Sequence, residues 1–112
     1  MTPKRIKLQR TKGYKLSELC DNPNGYVIVD RRSKWGNRYR VGDPHPGTGK
    51  PMTAAQAVRL FESELEFWKT NDTGSFELWI APLRGKDIVD WCDLDAPCHG
   101  DVLMRMANEE TK

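Results

Sequence analysis

Asp87-Ile88-Val89-Asp90-Trp91-Cys92-Asp93-Leu94-Asp95-Ala96-Pro97-Cys98-His99-Gly100-Asp101-Val102-Leu103 is the stretch that decides the fold. Residues 87–91 read as a strand. The polar run after them is a turn, and Val102, Leu103 and Met106 fall at helical spacing, which predicts a helix from about His99 to Asn108. A strand that hands over to a helix through an exposed turn is a common way to present binding or reactive groups, because packing holds the two neighbours while the turn stays accessible. Here the turn carries two cysteines, a histidine and several carboxylates.

Outward from this stretch, Arg5-Ile6-Lys7-Leu8-Gln9 alternates in period two and predicts a first strand. Tyr26-Val27-Ile28-Val29 is β-branched, aromatic and bounded by Asn22-Pro23-Asn24-Gly25, so a second strand is expected, central because both faces are apolar. Leu16, Leu19 and Cys20 suit one helical turn, and Tyr39-Arg40-Val41 a third strand, ended by Gly42-Asp43-Pro44. Thr53-Ala54-Ala55-Gln56 is a capping box, after which Ala54, Ala57, Val58, Phe61, Leu65 and Trp68 recur at helical spacing up to Asn71-Asp72-Thr73-Gly74. Ser75 is placed to cap a short helix through Phe76 and Ile80 that Pro82 ends. The expected fold is a single small α/β domain over residues 1–112, a mixed sheet of about three or four strands packed with about three helices.

With 112 residues, 38% hydrophobic and 30% charged, the chain has the composition of one folded domain. No apolar run approaches membrane-spanning length, so no membrane partner is expected. Met1 to Lys7 has charges without a following apolar segment, which supports a cytoplasmic setting. Three cysteines leave one unpaired if two were bridged, which suits a reducing compartment. The net charge of +2 hides an asymmetry: residues 1–50 hold 12 Lys and Arg against 4 Asp and Glu, residues 51–112 hold 6 against 12. The basic half either attracts an anionic partner or pairs with the acidic half across the fold.

Three chemistries compete for the turn. Cys92, Cys98 and His99 are zinc-ligand types, but Cys-x5-Cys is wider than structural zinc spacings, adjacent Cys98 and His99 are expected to diverge, and a fourth ligand would have to be Cys20 or His45. No cofactor is therefore expected, with zinc kept as the alternative. The second reading uses unpaired amides in the first turn of the last helix: Cys98, His99 and Gly100 form an anion cradle, Cys98 is a candidate nucleophile, and His99 and Asp101 are its partners. The third is bland: Asp101 favours the helix dipole, and Cys92 is a small buried core residue.

Ser33-Lys34-Trp35-Gly36-Asn37 interleaves a cation, an aromatic and turn formers, which suits stacking on a base beside a phosphate; Trp35 packed on the core edge is the plain alternative. Arg31 and Arg32 add forked donors for phosphate or carboxylate. Gly42 to Lys50 has the look of a phosphate-binding loop but places Thr48 where the lysine is required, which argues against nucleoside triphosphate hydrolysis and leaves His45 as an exposed loop residue.

Ser33-Lys34-Trp35-Gly36-Asn37, Leu83-Arg84-Gly85-Lys86-Asp87, Trp91-Cys92 and Pro97-Cys98-His99-Gly100-Asp101-Val102-Leu103, in this order, resemble the boxes of the domain of unknown function 4326 family, over about residues 25–108. Arg38 stands at a position that is usually proline there, Asp90 at the first cysteine of a C-W-C box, and the Pro44 to Pro51 loop looks idiosyncratic. The resemblance implies a compact α/β domain of bacteria or their phages with no established activity. The expected function is binding of, or catalysis on, a phosphate-bearing small ligand such as a nucleotide or nucleoside derivative. Lys34, Arg31 and Arg32 would neutralise charge, Trp35 would stack, Gly36 and Asn37 would shape and orient, and Cys98, His99, Gly100 and Asp101 would bind or react. If it is an enzyme, the expected reaction is at a glycosidic or phosphoryl centre. The alternatives are a nucleic-acid or protein interaction module and a zinc-stabilised structural domain.

Overall fold

A computed structural model describes residues 3–7, 20, 22–30, 33–92 and 96–109. Three short strands, β1 (Arg5–Lys7), β2 (Tyr26–Ile28) and β3 (Asp87–Asp90), form one sheet in the order β1-β3-β2. Both pairings are parallel, Arg5 opposite Ile88 and Val27 opposite Ile88, where the sequence suggested a mixed sheet. The route from β2 to β3 explains the parallel pairing, because it runs through α1 (Ala54–Asn71) and α2 (Thr73–Ile80) and returns the chain to the same end of the sheet. The final helix, α3 (His99–Asn108), follows β3 and has the bounds its apolar spacing predicts. The α/β class stands as expected, with three α-helices and three strands among the described residues.

The central strand is β3, not β2. Ile88 and Val89 are fully buried, whereas Tyr26 and Ile28 on β2 are each 40% exposed at the sheet edge. The sequence misleads here because β3 begins and ends with aspartate, a residue depleted from strand interiors. Its carboxylates are satisfied by local donors: Asp87 accepts from the amide of Lys4 at 3.0 Å and from Nδ2 of Asn22 at 3.1 Å, and Asp90 from the amide of Cys92 at 3.2 Å. Tyr39-Arg40-Val41 is not a strand but irregular chain leading into a loop closed by an antiparallel bridge between Pro44 and Pro51. The helical turn proposed for Leu16 to Cys20 lies largely outside the described residues.

Helix α1 starts as its capping box requires, with the Gln56 amide donating to Thr53 Oγ1 at 3.2 Å and the Thr53 amide donating to Gln56 Oε1 at 2.9 Å. Asp72 separates it from α2 and caps both: its amide donates to the Trp68 carbonyl, and its carboxylate accepts from the Ser75 amide at 3.3 Å. The cap of α2 is thus Asp72 rather than Ser75, because the Ser75 amide sits where an N-cap carboxylate can reach it. Pro82 ends α2 by entering a 3-10 turn (Ala81–Leu83) near its start, where a missing amide costs little. Phe61, Leu65, Phe76, Ile80, Leu83, Ile88, Leu103 and Met106 form the core, and Trp68 meets Phe76 edge-on at 5.6 Å. No described helix is long and apolar enough to cross a membrane.

Candidate functional site

In parallel α/β sheets, ligands bind beyond the carboxyl ends of the strands. At that end of β2 and β3 lies a cavity of about 350 Å³. Asp30 comes from just past β2, and Asp90, Trp91 and Cys92 from the end of β3. Ala54, Ala57 and Val58 come from α1, Asn37, Tyr39 and Val41 from the irregular segment, and Pro97, Cys98 and His99 from the entrance to α3. Asn37 ties that segment to α1 by donating to the Ala57 carbonyl at 3.1 Å and accepting from the Tyr39 amide at 2.9 Å. An amide has two N–H groups and two lone pairs, so one of each is left for a ligand.

The cavity's inner wall is a knot of sulfur, imidazole and carboxylate. Cys92 and Cys98 are joined as a disulfide with Cα atoms 6.1 Å apart. Cys98 is only 2% exposed, while Cys92 is half-buried on the cavity and is not the core residue expected. Sγ of Cys98 lies 3.0 Å from Oδ2 of Asp90 and 3.7 Å from Nδ1 of His99. His99 is held from behind, with Nε2 at 2.5 Å from the Val29 carbonyl and its ring edge-on to Phe61 at 5.7 Å. A carbonyl only accepts, so Nε2 donates to it, and Nδ1 is the ring nitrogen that faces the sulfur. Burial pushes the Asp90 carboxyl up from its ordinary value, against the opposing pull of Arg5, His99 and the Cys92 amide.

Gly100 lets Asp90 in. A Cβ there would collide with Oδ2 of Asp90 and come within 3.3 Å of Arg5 Cδ. The chain's own carboxylate therefore stands against the first turn of α3, in the space that the missing side chain of Gly100 leaves. Asp101 points away from the cavity and pairs with buried Arg5 at 3.4 Å.

The Ser33 to Asn37 box is divided. Asn37 faces the cavity, whereas Trp35 packs against the core and its Nε1 donates to the Trp79 carbonyl at 2.9 Å. Lys34 sits 4.7 Å over the Trp35 ring and, with Gly36, lines a separate groove beside Trp68 and Trp79. Arg31 and Arg32 lie outside the described residues. The Leu83 to Asp87 box is at the opposite end of β3, where Arg84 Nε donates to the Ala107 carbonyl at 3.0 Å and the Gly85 amide to Asn108 Oδ1 at 3.0 Å, so it fastens α3 to the sheet. Cys20 belongs to that end too, its thiol 3.4 Å from Asp87, and His45 closes its own loop by accepting from the Gly47 amide at 2.9 Å. Neither joins Cys92 and Cys98. Asp30 and Tyr39 are cavity residues to which no motif pointed, and Asp90 is marked only as a departure at a box position; the first polar residue after each apolar strand core was the available signal for the two aspartates.

No curated protein and no solved structure matches the chain. The family model described as Domain of unknown function (DUF4326) matches residues 6–109, from β1 through the end of α3. The match covers the strand-to-helix turn along with the rest of the fold, and the chain belongs to the DUF4326 family.

Proposed function

We propose that this protein binds a nucleoside or nucleotide derivative in the cavity at the carboxyl end of the sheet, in the cytoplasm of a bacterium or of a phage's host. One observation carries the reading: two carboxylates, an imidazole, an amide and the aromatic residues Tyr39 and Trp91 line a single concave space at that sheet end. Its volume is at the small-ligand end of binding cavities, which span roughly 300–1,000 Å³. Carboxylates accept from sugar hydroxyls and base N–H groups, Asn37 offers both a donor and an acceptor, and the rings offer flat apolar contact.

The lining also favours one reaction class. Among the described lining residues the charged side chains are Asp30 and Asp90, and none is Lys or Arg. A phosphoryl centre needs cations around it. Cleavage or transfer at a glycosidic bond instead develops positive charge on the sugar, which carboxylates stabilise. Any phosphate on the ligand then lies outside the described lining, and the nucleoside part supplies the recognition.

Thermal unfolding in the presence of ribonucleosides, deoxyribonucleosides and their 5′-monophosphates tests this. A ligand held at about 100 times its Kd adds about 2.7 kcal/mol to stability. At least one nucleoside without phosphate should raise the melting temperature, Asn37→Ala should remove the rise, and Lys34→Ala should keep it. A panel in which nothing shifts the protein, or in which Lys34→Ala alone removes the shift, contradicts the reading.

A second groove supports the interaction-module alternative, because Lys34, Arg38, Phe67, Trp68 and Trp79 there combine cations with aromatic faces. Binding to single-stranded nucleic acid that weakens steeply with salt and is lost in Lys34→Ala marks that alternative.

A further inference from the structure

We infer that, once its disulfide is reduced, this chain holds a zinc ion through Cys92 Sγ, Cys98 Sγ and His99 Nδ1, with the fourth position open to the cavity. Zinc binding there does not depend on the ligand being a nucleoside. These three donor atoms all lie within 4.8 Å of one another. Bonds of about 2.3 Å to sulfur and about 2.05 Å to nitrogen at a tetrahedral angle set the two donors about 3.6 Å apart. Cys98 Sγ and His99 Nδ1 are already 3.7 Å apart. Two zinc-bound sulfurs sit about 3.8 Å apart by the same geometry, so only the Cys92 sulfur has to draw back from its partner. Cys92 is the half-buried member of the pair, with room on its cavity side.

The adjacency of Cys98 and His99, which argues against one ion in a uniform strand or helix, is resolved by the backbone. Cys98 is the N-cap of α3 with φ −148° and ψ 142°, and His99 is already helical. The change of conformation between them turns both side chains to the same side. Metal-binding histidines are commonly fixed by a hydrogen bond from the distal nitrogen to a carbonyl, and His99 makes that bond to Val29. Thiolate and imidazole donors together favour zinc over magnesium or calcium. Three protein ligands that all line a cavity match the layout of zinc sites that keep a position for water or substrate.

Oxidation and metal compete for the same sulfurs. A phosphine reductant attacks the Cys92–Cys98 bond, and water supplies the oxygen that converts it to phosphine oxide and the protons that leave two thiols. Zinc binding then releases the two thiol protons to solvent. The test is Co²⁺ titration of the phosphine-reduced full-length protein, followed by back-titration with Zn²⁺. The expected result is one equivalent of Co²⁺ with a tetrahedral visible spectrum and a sulfur-to-cobalt charge-transfer band. Zn²⁺ should bleach that spectrum, the oxidised protein should lack the band, and Cys92→Ser should lose at least half of its intensity. Cys98→Ser and His99→Ala should weaken Co²⁺ binding as well, but Cys98 and His99 are buried, so the deciding variant is Cys92→Ser, with its fold checked by circular dichroism. A folded, reduced protein that takes up no Co²⁺, that gives no sulfur charge-transfer band, or that keeps the full intensity of the band in Cys92→Ser overturns the inference.

Discussion

A carboxylate that is 1% exposed, beside a buried arginine and against the Cys98 sulfur, is stable only if its surroundings are fixed around it, since a buried unpaired charge costs several kcal/mol. Asp90 receives the amide of Cys92, faces Arg5 and His99, and occupies the space left by the missing side chain of Gly100. Gly100→Ala should therefore destabilise the fold by about 1–3 kcal/mol in chemical denaturation, as overpacking typically does. In an Asp90→Ala background most of that loss should vanish, because the collision partner is gone; a cost unchanged in the double variant would contradict the close approach. These roles were hidden in the sequence for a physical reason. Gly100 reads as room for an external anion and Asp90 as a lost cysteine, and only the fold shows that one residue makes room for the other. Cys98 and His99 were legible because a strand, a polar turn and a helix follow in order around them.

At the level of elements, apolar spacing located α1 and α3 and the capping box located the start of α1, since these signals are local. The place of a strand within a sheet is not local. It depends on which neighbours satisfy the ends, and β3 became central because Lys4, Asn22 and Cys92 supply donors to its two aspartates. Tyr39 failed as a strand residue because its amide and hydroxyl go elsewhere, to Asn37 Oδ1 and to Glu64 at 2.6 Å. The end of α3 is tied to α1 by Lys69, which donates to Glu109 at 3.0 Å, and by Arg105, which pairs with Glu109 and, at 3.0 Å, with Glu62. The hydrogen bond from Lys69, helped by Arg105 and opposed by burial, holds the Glu109 carboxyl below its ordinary value of 4.5. A lowered folded value means the stabilisation is complete above pH 4.5 and is lost as pH falls through the lowered value. Glu109→Gln should flatten this part of the acid limb of stability against pH, with the loss kept modest because the pairs are partly solvated. An acid limb identical in wild type and variant would remove the tie.

Across the whole molecule, the basic and acidic halves of the sequence meet in two ion pairs among the described residues: Arg38 pairs with Glu64 at 2.8 Å and Arg5 with Asp101. Those pairs make the charge asymmetry partly a feature of folding rather than a signal of an anionic partner. The parallel sheet, in turn, sets which of the sequence boxes share a site. Strand β3 runs from the Leu83 to Asp87 box to the Cys98 to Asp101 box, so the two occupy opposite ends and only the second reaches the cavity. The central claim is that this cavity is the ligand site. Amide ¹H–¹⁵N spectra of the labelled protein, recorded while the nucleoside that most raises the melting temperature is added, test it most directly. Binding in the cavity predicts shifts confined to Asp30, Asn37, Tyr39, Asp90, Trp91 and His99. Shifts that cluster instead at Lys34, Phe67, Trp68 and Trp79, or spectra that no nucleoside changes, would contradict it.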